Sequence, residues 1–271
     1  MEPFALHRGT SPLILAFPHV GTFVPADIAG RLNERGTALV DTDWFIDEVY
    51  DGLMPDATTI RATFSRYVID ANRDPEGTSL YPGQNTTTLC PTIDFEGQPI
   101  YHEGQAPSPG EIEARRIAFH TPYHAAIRQE IARVKSEHGF AVLYDGHSIR
   151  SELPFLFEGK LPDLNLGTND GATLLPAMEK RALEIANQSG FESVLNGRFK
   201  GGWTTRHYGQ PDKNICAFQM EIAQCAYLKA ELAPWALDDQ KCAQLRPILK
   251  LILEALLDEA ANAFAQTGEQ S

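Results

Sequence analysis

The sequence predicts an α/β fold with a central sheet that is mostly parallel or mixed. Three observations carry this. Short apolar runs at residues 13–17 and 140–144, bounded by Pro and Gly, have the length and composition of buried strands. Helical segments alternate with these and further strand candidates, the pattern of the α/β class. Each run is also followed by a histidine, His19 and His147. Ligands of open α/β sheets sit beyond the carboxyl ends of the strands.

The remaining elements follow in order. Val24-Pro25-Ala26-Asp27 opens a short helical segment toward Gly36. Residues 42–53 predict a second helix, with Trp44, Ile46, Val49 and Leu53 on its apolar face. Residues 58–62 and 67–71 are rich in β-formers and read as a strand pair. From 72 to 109 the chain is dense in Gly, Pro, Asn and Thr. Irregular excursions of that length are usually functional or mobile. Ser108-Pro109-Gly110-Glu111 resembles a capping box with Pro at the first helical position. A long helical region then runs to Gly139, interrupted near Pro122. After the strand that delivers His147 come a short strand at 163–166 and a helix from Asn169 to about Ser189. Residues 193–195 are weakly strand-like and 215–222 more firmly so. The tail at 239–264 reads as a helix cut by Pro247.

Composition bounds the function. The 271 residues are 43% hydrophobic, and no Ser/Gly-rich or Pro-rich linker divides them, so one domain spanning 1–271 is expected. With 36 acidic against 23 basic residues the net charge is −13, and no basic cluster is present, which argues against a nucleic-acid partner. No stretch approaches the roughly 20 apolar residues of a membrane span. The first residues lack the basic and apolar regions of a signal peptide, so a cytoplasmic protein is expected. Cys90, Cys216, Cys225 and Cys242 match neither a zinc module nor a disulfide scaffold and read as reduced thiols.

A hydrolytic metal site needs three protein ligands and an open position. His19 and His147 are the first two candidates, and Asp43 is the natural third. The alternative for Asp43 is a helix N-terminal charge. Asp145 reads as the group that orients His147. Glu221 ends an apolar stretch, where a carboxylate acquires the raised pKa of a general base; the alternative is a strand-end Glu facing solvent. Arg66 and Arg73 bracket the 67–71 segment. Arg73 can clamp a carboxylate or pair with Asp70 or Asp74, and Arg66 can stabilise an oxyanion. Residues 200–209 form a Gly-bounded polar and aromatic loop able to close over a small substrate, or else a surface hairpin. His120 and His124, four apart around Pro122, read as structural rather than as a metal pair.

In this order, Pro18-His19-Val20-Gly21-Thr22, Asp41-Thr42-Asp43-Trp44, the run from Ser65 to Arg73, Asp145-Gly146-His147-Ser148, the run from Asp163 to Thr168 and the run from Gly201 to Gly209 resemble the N-formylglutamate amidohydrolase family. The resemblance reaches to about Glu221. It implies a three-layer, phosphorylase/hydrolase-like α/β/α fold related to zinc carboxypeptidases. It implies one divalent metal, zinc in the first instance with Fe, Co or Mn as alternatives, on His19, Asp43 and His147, with Glu221 as base. It adds Asn72 beside Arg73 as the substrate-carboxylate clamp, with Thr168 and His207 shaping the pocket. One departure stands out. Carboxypeptidases place the acidic ligand three residues after the first His, where this chain has Gly21-Thr22, so the acid must come from Asp43. The implied reaction is metal-dependent hydrolysis of N-formyl-L-glutamate to formate and L-glutamate, the last step of a histidine degradation route. The same residues would also serve another N-acyl-amino-acid amidohydrolase or a carboxypeptidase-like peptidase, and a metal-dependent binding protein would need no turnover.

Overall fold

The computed structural model describes residues 1–79 and 83–268. The strands are β1 (Phe4–His7), β2 (Leu13–Phe17), β3 (Thr58–Ala62), β4 (Ala141–Ile149), β5 (Leu164–Gly167), β6 (Ser193–Leu195) and β7 (Ile215–Ala223). They form one mixed seven-stranded sheet in the order β1-β3-β2-β4-β7-β5-β6. The four central strands β3, β2, β4 and β7 are mutually parallel, while β1 and the β5–β6 pair run antiparallel to their inner neighbours. The helices are α1 (Ala26–Ala29), α2 (Glu34–Thr37), α3 (Ile46–Tyr50), α4 (Pro109–Arg115), α5 (Thr121–His138), α6 (Pro176–Gln188), α7 (Trp203–Tyr208) and α8 (Asp239–Gly268).

The alternation of side chains across a strand sorts the core into two layers. Leu13, Leu15 and Phe17 of β2, with Val142 and Tyr144 of β4, pack under α3, α6 and α8. Ile14, Ala16, Leu143 and Ala217 face the other way, under Ile127, Ile131 and Val134 of α5. The result is a three-layer α/β/α architecture. Among the described residues no helix is long and apolar enough to cross a membrane, and all four cysteines are free thiols.

Several boundaries differ from the sequence reading for physical reasons. Residues 67–71 are not a strand. The Val68 N–H donates to the Ser65 carbonyl at 2.9 Å, an i to i+3 bond that closes a turn, and the Asp70 N–H donates to the Leu89 carbonyl at 2.7 Å, outside the sheet. The helix expected from Thr42 begins at Ile46, behind Phe45 in the left-handed conformation (φ 59°). The helix expected from Asn169 begins at Pro176, because Asn169 and Asp170 also have positive φ and turn the chain first. Residues 203–208 of the expected loop form α7. Pro247 does not cut α8: Leu245, Leu249, Ile252, Leu253 and Leu256 are fully buried along it, and that packing outweighs the lost backbone bond. Near Pro122 the backbone widens into a π-helical turn at Arg116–His120 instead of breaking. The capping box at Ser108 forms its N-terminal half, with Ser108 accepting a hydrogen bond from Glu111 N. Between β3 and α4, the described residues of the 72–109 segment contain neither helix nor extended strand.

Candidate active site

The site lies at the carboxyl ends of β2, β4 and β7. His19 follows β2 by two residues. His147 and Glu221 sit inside longer strands than the apolar runs suggest, and they are direct partners in the parallel ladder between β4 and β7. Neighbours in register project from the same face, so the sheet itself sets imidazole and carboxylate side by side. Asp43 comes from the turn ahead of α3. Its backbone N–H donates to the His19 carbonyl at 3.1 Å, and the left-handed Phe45 ends the turn before the helix begins. Asp43 is thus a turn residue directed inward, not a helix N-terminal charge.

His19, Asp43 and His147 are buried, and one donor atom from each lies within 4.8 Å of the others. Asp43 Oδ2 is 3.1 Å from His147 Nδ1 and 3.7 Å from His19 Nδ1. The far ring nitrogens are held by other groups. His19 Nε2 is 2.7 Å from Asp70 Oδ1. His147 Nε2 is 3.1 Å from Asp145 Oδ1 and 2.8 Å from the Asn72 amide nitrogen. Carboxylates behind ligating imidazoles fix ring orientation and raise basicity. Among the described residues His19 Nδ1 is buried with no hydrogen-bond partner. An orphaned imidazole nitrogen beside a carboxylate and a second imidazole fits a divalent cation, since two His and one carboxylate suit several first-row metals.

The electrostatics are those of charges forced together out of water. Burial works against the Asp43 charge, but the hydrogen bond with His147 and the nearby His19 imidazole outweigh it and hold the carboxyl below its usual range. Asp70 is likewise held low against its burial by Arg73, His19 and Arg66. Burial disfavours the His147 imidazolium, yet Asp145 and Asp43 push its pKa well up. Glu221 goes the other way. Burial pushes its carboxyl up to about 8, with the His147 charge opposing. It is not a solvent-facing strand end. Gln219, two residues earlier on the same face of β7, donates to it at 3.2 Å.

A cavity opens over these groups, lined by His19, His147, Glu221, Asn72 and the three arginines 66, 73 and 198, among others. Arg66 is buried, donates to Asp70 Oδ2 at 2.9 Å and Asp43 Oδ1 at 3.4 Å, and lies over the Phe95 ring. Arg73 is half-buried. It donates to the Thr87 carbonyl and hydroxyl, both at 3.1 Å, and stands 3.8 Å from Asp70 Oδ2. The Asn72 amide oxygen accepts from Thr204 N at 2.8 Å, in the first turn of α7, so Asn72 ties that helix terminus to His147. Two of the expected pocket residues lie outside this lining. Thr168 does not border the cavity: its hydroxyl engages Glu179, Asn196 and Gly171. His207 does not border it either, and its ring stacks on Trp203. His120 and His124 instead bond the Arg73 and Ala71 carbonyls, supporting the segment that carries Asn72 and Arg73.

Sequence reasoning missed Asp70 as the partner of His19, and it missed Gln219 and Arg198. The signal for Gln219 was its two-residue spacing from Glu221. For Asp70 it was the i,i+4 relation to Arg66, which speaks for a turn rather than a strand.

The sequence pattern of the N-formylglutamate amidohydrolase family matches residues 11–228. The chain belongs to the N-formylglutamate amidohydrolase family. It is similar to the N-formylglutamate deformylase of Pseudomonas aeruginosa, at 45% identity over 97% of this chain and 99% of that one. A Pseudomonas putida N-formylglutamate deformylase is 41% identical over 96% and 97%. A crystal structure of an N-formylglutamate amidohydrolase from Ralstonia eutropha shares the fold, with a TM-score of 0.81 at 23% identity, covering 97% of this chain and 100% of that one. Within this family fold the matched region spans every cavity-lining group named above.

Proposed function

We propose that this chain hydrolyses N-formyl-L-glutamate to formate and L-glutamate, acting as one domain built on its single sheet, at the end of histidine degradation as the sequence resemblance implies. The observation that carries the reading is Glu221, buried beside the His19–Asp43–His147 group in register with His147, in a chain 45% identical to a protein named for this reaction.

His19, Asp43 and His147 would hold a divalent ion, zinc by preference, through His19 Nδ1, Asp43 Oδ2 and His147 Nδ1. When bound, such an ion polarises the formyl oxygen and lowers the pKa of water toward about 7. Glu221 takes the proton of the attacking water and returns it to the leaving amine nitrogen as the carbon–nitrogen bond breaks. Its raised pKa matches both halves of that transfer near neutral pH. Arg66, fixed by Asp70 and Asp43, lends its charge to the developing oxyanion. Arg73 holds the α-carboxylate. Asn72 positions His147 and the α7 terminus around it.

The test is glutamate release from N-formyl-L-glutamate with chelated and zinc-restored enzyme side by side. Release is expected, lost on chelation and recovered with metal. No release in either state, with turnover of another N-acyl amino acid, refutes the substrate.

A further inference from the structure

His120 and His124 are both buried. Four residues apart, they share one helix face, with ring centroids 4.3 Å apart. His120 closes the π-helical turn and His124 stands in the first turn of α5. Widened turns of this kind are frequent at functional sites.

A main-chain carbonyl only accepts, so an imidazole nitrogen that faces one carries the proton. His120 Nε2 therefore donates to the Arg73 carbonyl at 3.1 Å, and His124 Nε2 to the Ala71 carbonyl at 2.7 Å. Burial holds both rings below the usual histidine range, so each is neutral near neutral pH and spends its one N–H in this way. The other nitrogen of His124 faces the hydroxyl of Tyr208, the last residue of α7, at 3.1 Å. That hydroxyl also meets Arg128.

The two carbonyls flank Asn72, in a segment that lies outside the sheet and must satisfy its main-chain groups in other ways. Asp70, bonded to His19, takes the Asn72 N–H through Oδ1 at 2.8 Å and the Arg73 N–H through its own carbonyl at 3.3 Å. The Asn72 carbonyl accepts from Arg73 Nη1 at 3.2 Å. What remains is the carbonyl on either side of Asn72, and the two imidazoles hold those. Asp70 thus fixes the N–H groups of the segment, and the histidine pair fixes its carbonyls.

We propose that His120 and His124 are positioning residues for substrate binding: by gripping the carbonyls on either side of Asn72, they place the Asn72 amide and the Arg73 guanidinium where a substrate carboxylate is held. This rests on the reading of Arg73 given above. Loosening either carbonyl weakens binding of substrate and transition state alike, which raises KM and leaves kcat nearly unchanged.

The experiment measures kcat and KM of the zinc-loaded enzyme on N-formyl-L-glutamate, with metal Kd alongside. His120→Leu and His124→Leu remove the donor and keep apolar bulk. Each raises KM by roughly 3- to 10-fold, the worth of one hydrogen bond, with kcat and metal Kd within about twofold of wild type. Glutamine carries an amide N–H at about the reach of imidazole Nε2, so His120→Gln and His124→Gln bring KM back to within about twofold of wild type. His120→Asn falls short of the carbonyl, behaves as the leucine variant does, and carries the test if that variant does not fold. Arg73→Met removes the clamp itself and raises KM at least as far. A raised KM in Arg73→Met with wild-type KM in the leucine variants overturns the positioning role. So do glutamine variants no better than leucine, or a loss confined to kcat. Wild-type KM in Arg73→Met refutes the clamp, and a wild-type enzyme inactive on N-formyl-L-glutamate refutes the substrate; either result takes the positioning role with it.

Discussion

Replacing Asp70 by Asn separates two tasks that one carboxylate performs. Asp70 is fully buried. Its Oδ1 accepts from His19 Nε2 at 2.7 Å and from Asn72 N at 2.8 Å, and its Oδ2 accepts from Arg66 at 2.9 Å. An asparagine can keep its oxygen toward His19 and Asn72 only by turning its NH2 onto the Arg66 guanidinium. Breaking a buried ion pair costs about 3–5 kcal/mol. Asp43, 3.4 Å from the same guanidinium, remains as a partner, so the loss of stability falls near ~3 kcal/mol. The second effect is on His19. A neutral partner makes the ring less basic and less fixed, and losses of this kind weaken metal binding by about 10- to 100-fold. Urea unfolding of the metal-free protein reads the first effect. Competition against a chromophoric chelator at neutral pH reads the second. Keeping the unfolding experiment metal-free matters, because bound metal would add its own stabilisation. A metal Kd within twofold of wild type would show that the His19–Asp70 bond does not orient a ligand, and the reading of this carboxylate would fail.

Three further outcomes are expected. Glu221→Gln keeps its metal content while kcat falls by about 10²- to 10⁴-fold, and retained turnover removes Glu221 from proton transfer. Gly202→Ala is harmful although its φ of −78° is ordinary. A Cβ there would lie 2.2 Å from the Asn72 amide nitrogen, which is pinned between His147 and Asp145. Overpacking of this kind costs roughly 1–3 kcal/mol, and thermal unfolding at the wild-type Tm would contradict it. Finally, the hydrogen bond from Arg31 holds Glu111 down to about 2 from an ordinary 4.5. A lowered folded-state pKa contributes stability above about pH 4.5 that is lost as pH falls toward 2. The pair is largely solvent-screened, so the contribution is under about 1 kcal/mol. The urea-midpoint difference between wild type and Glu111→Gln should shrink from pH 7 to pH 3, and a constant difference refutes the linkage.

Legibility in the sequence varied with the range of the interaction. The run Leu13–Phe17 was readable as β2 because its five residues are all buried and Pro stands on either side. β4 was readable at its start but not at its end. Asp145, Gly146, His147 and Ser148 continue the strand because the ladder to β7 pairs them through to Ile149. Residues 67–71 misled because their β-branched and aromatic side chains report burial, which a packed turn provides as well as a strand does. Residues 203–208 misled because glycines punctuate them, while the α7 N-terminus is satisfied by Asn72 from a distant part of the chain.

The sequence by itself determined the residue types of the His–Asp–His group, the buried glutamate and the arginines, and the α/β class, because apolar runs and punctuating Pro and Gly are local properties. Only the tertiary structure decided which of those residues meet. Parallel pairing of β4 and β7 brings His147 level with Glu221. A left-handed residue at Phe45 separates Asp43 from α3 and leaves it facing both histidines. Thr168 and His207 look equally eligible in the sequence, yet their side chains are used elsewhere, on Glu179 and Trp203. A side chain's chemistry is carried by its own atoms, whereas its company is set by strand register and backbone turns that join residues more than a hundred positions apart.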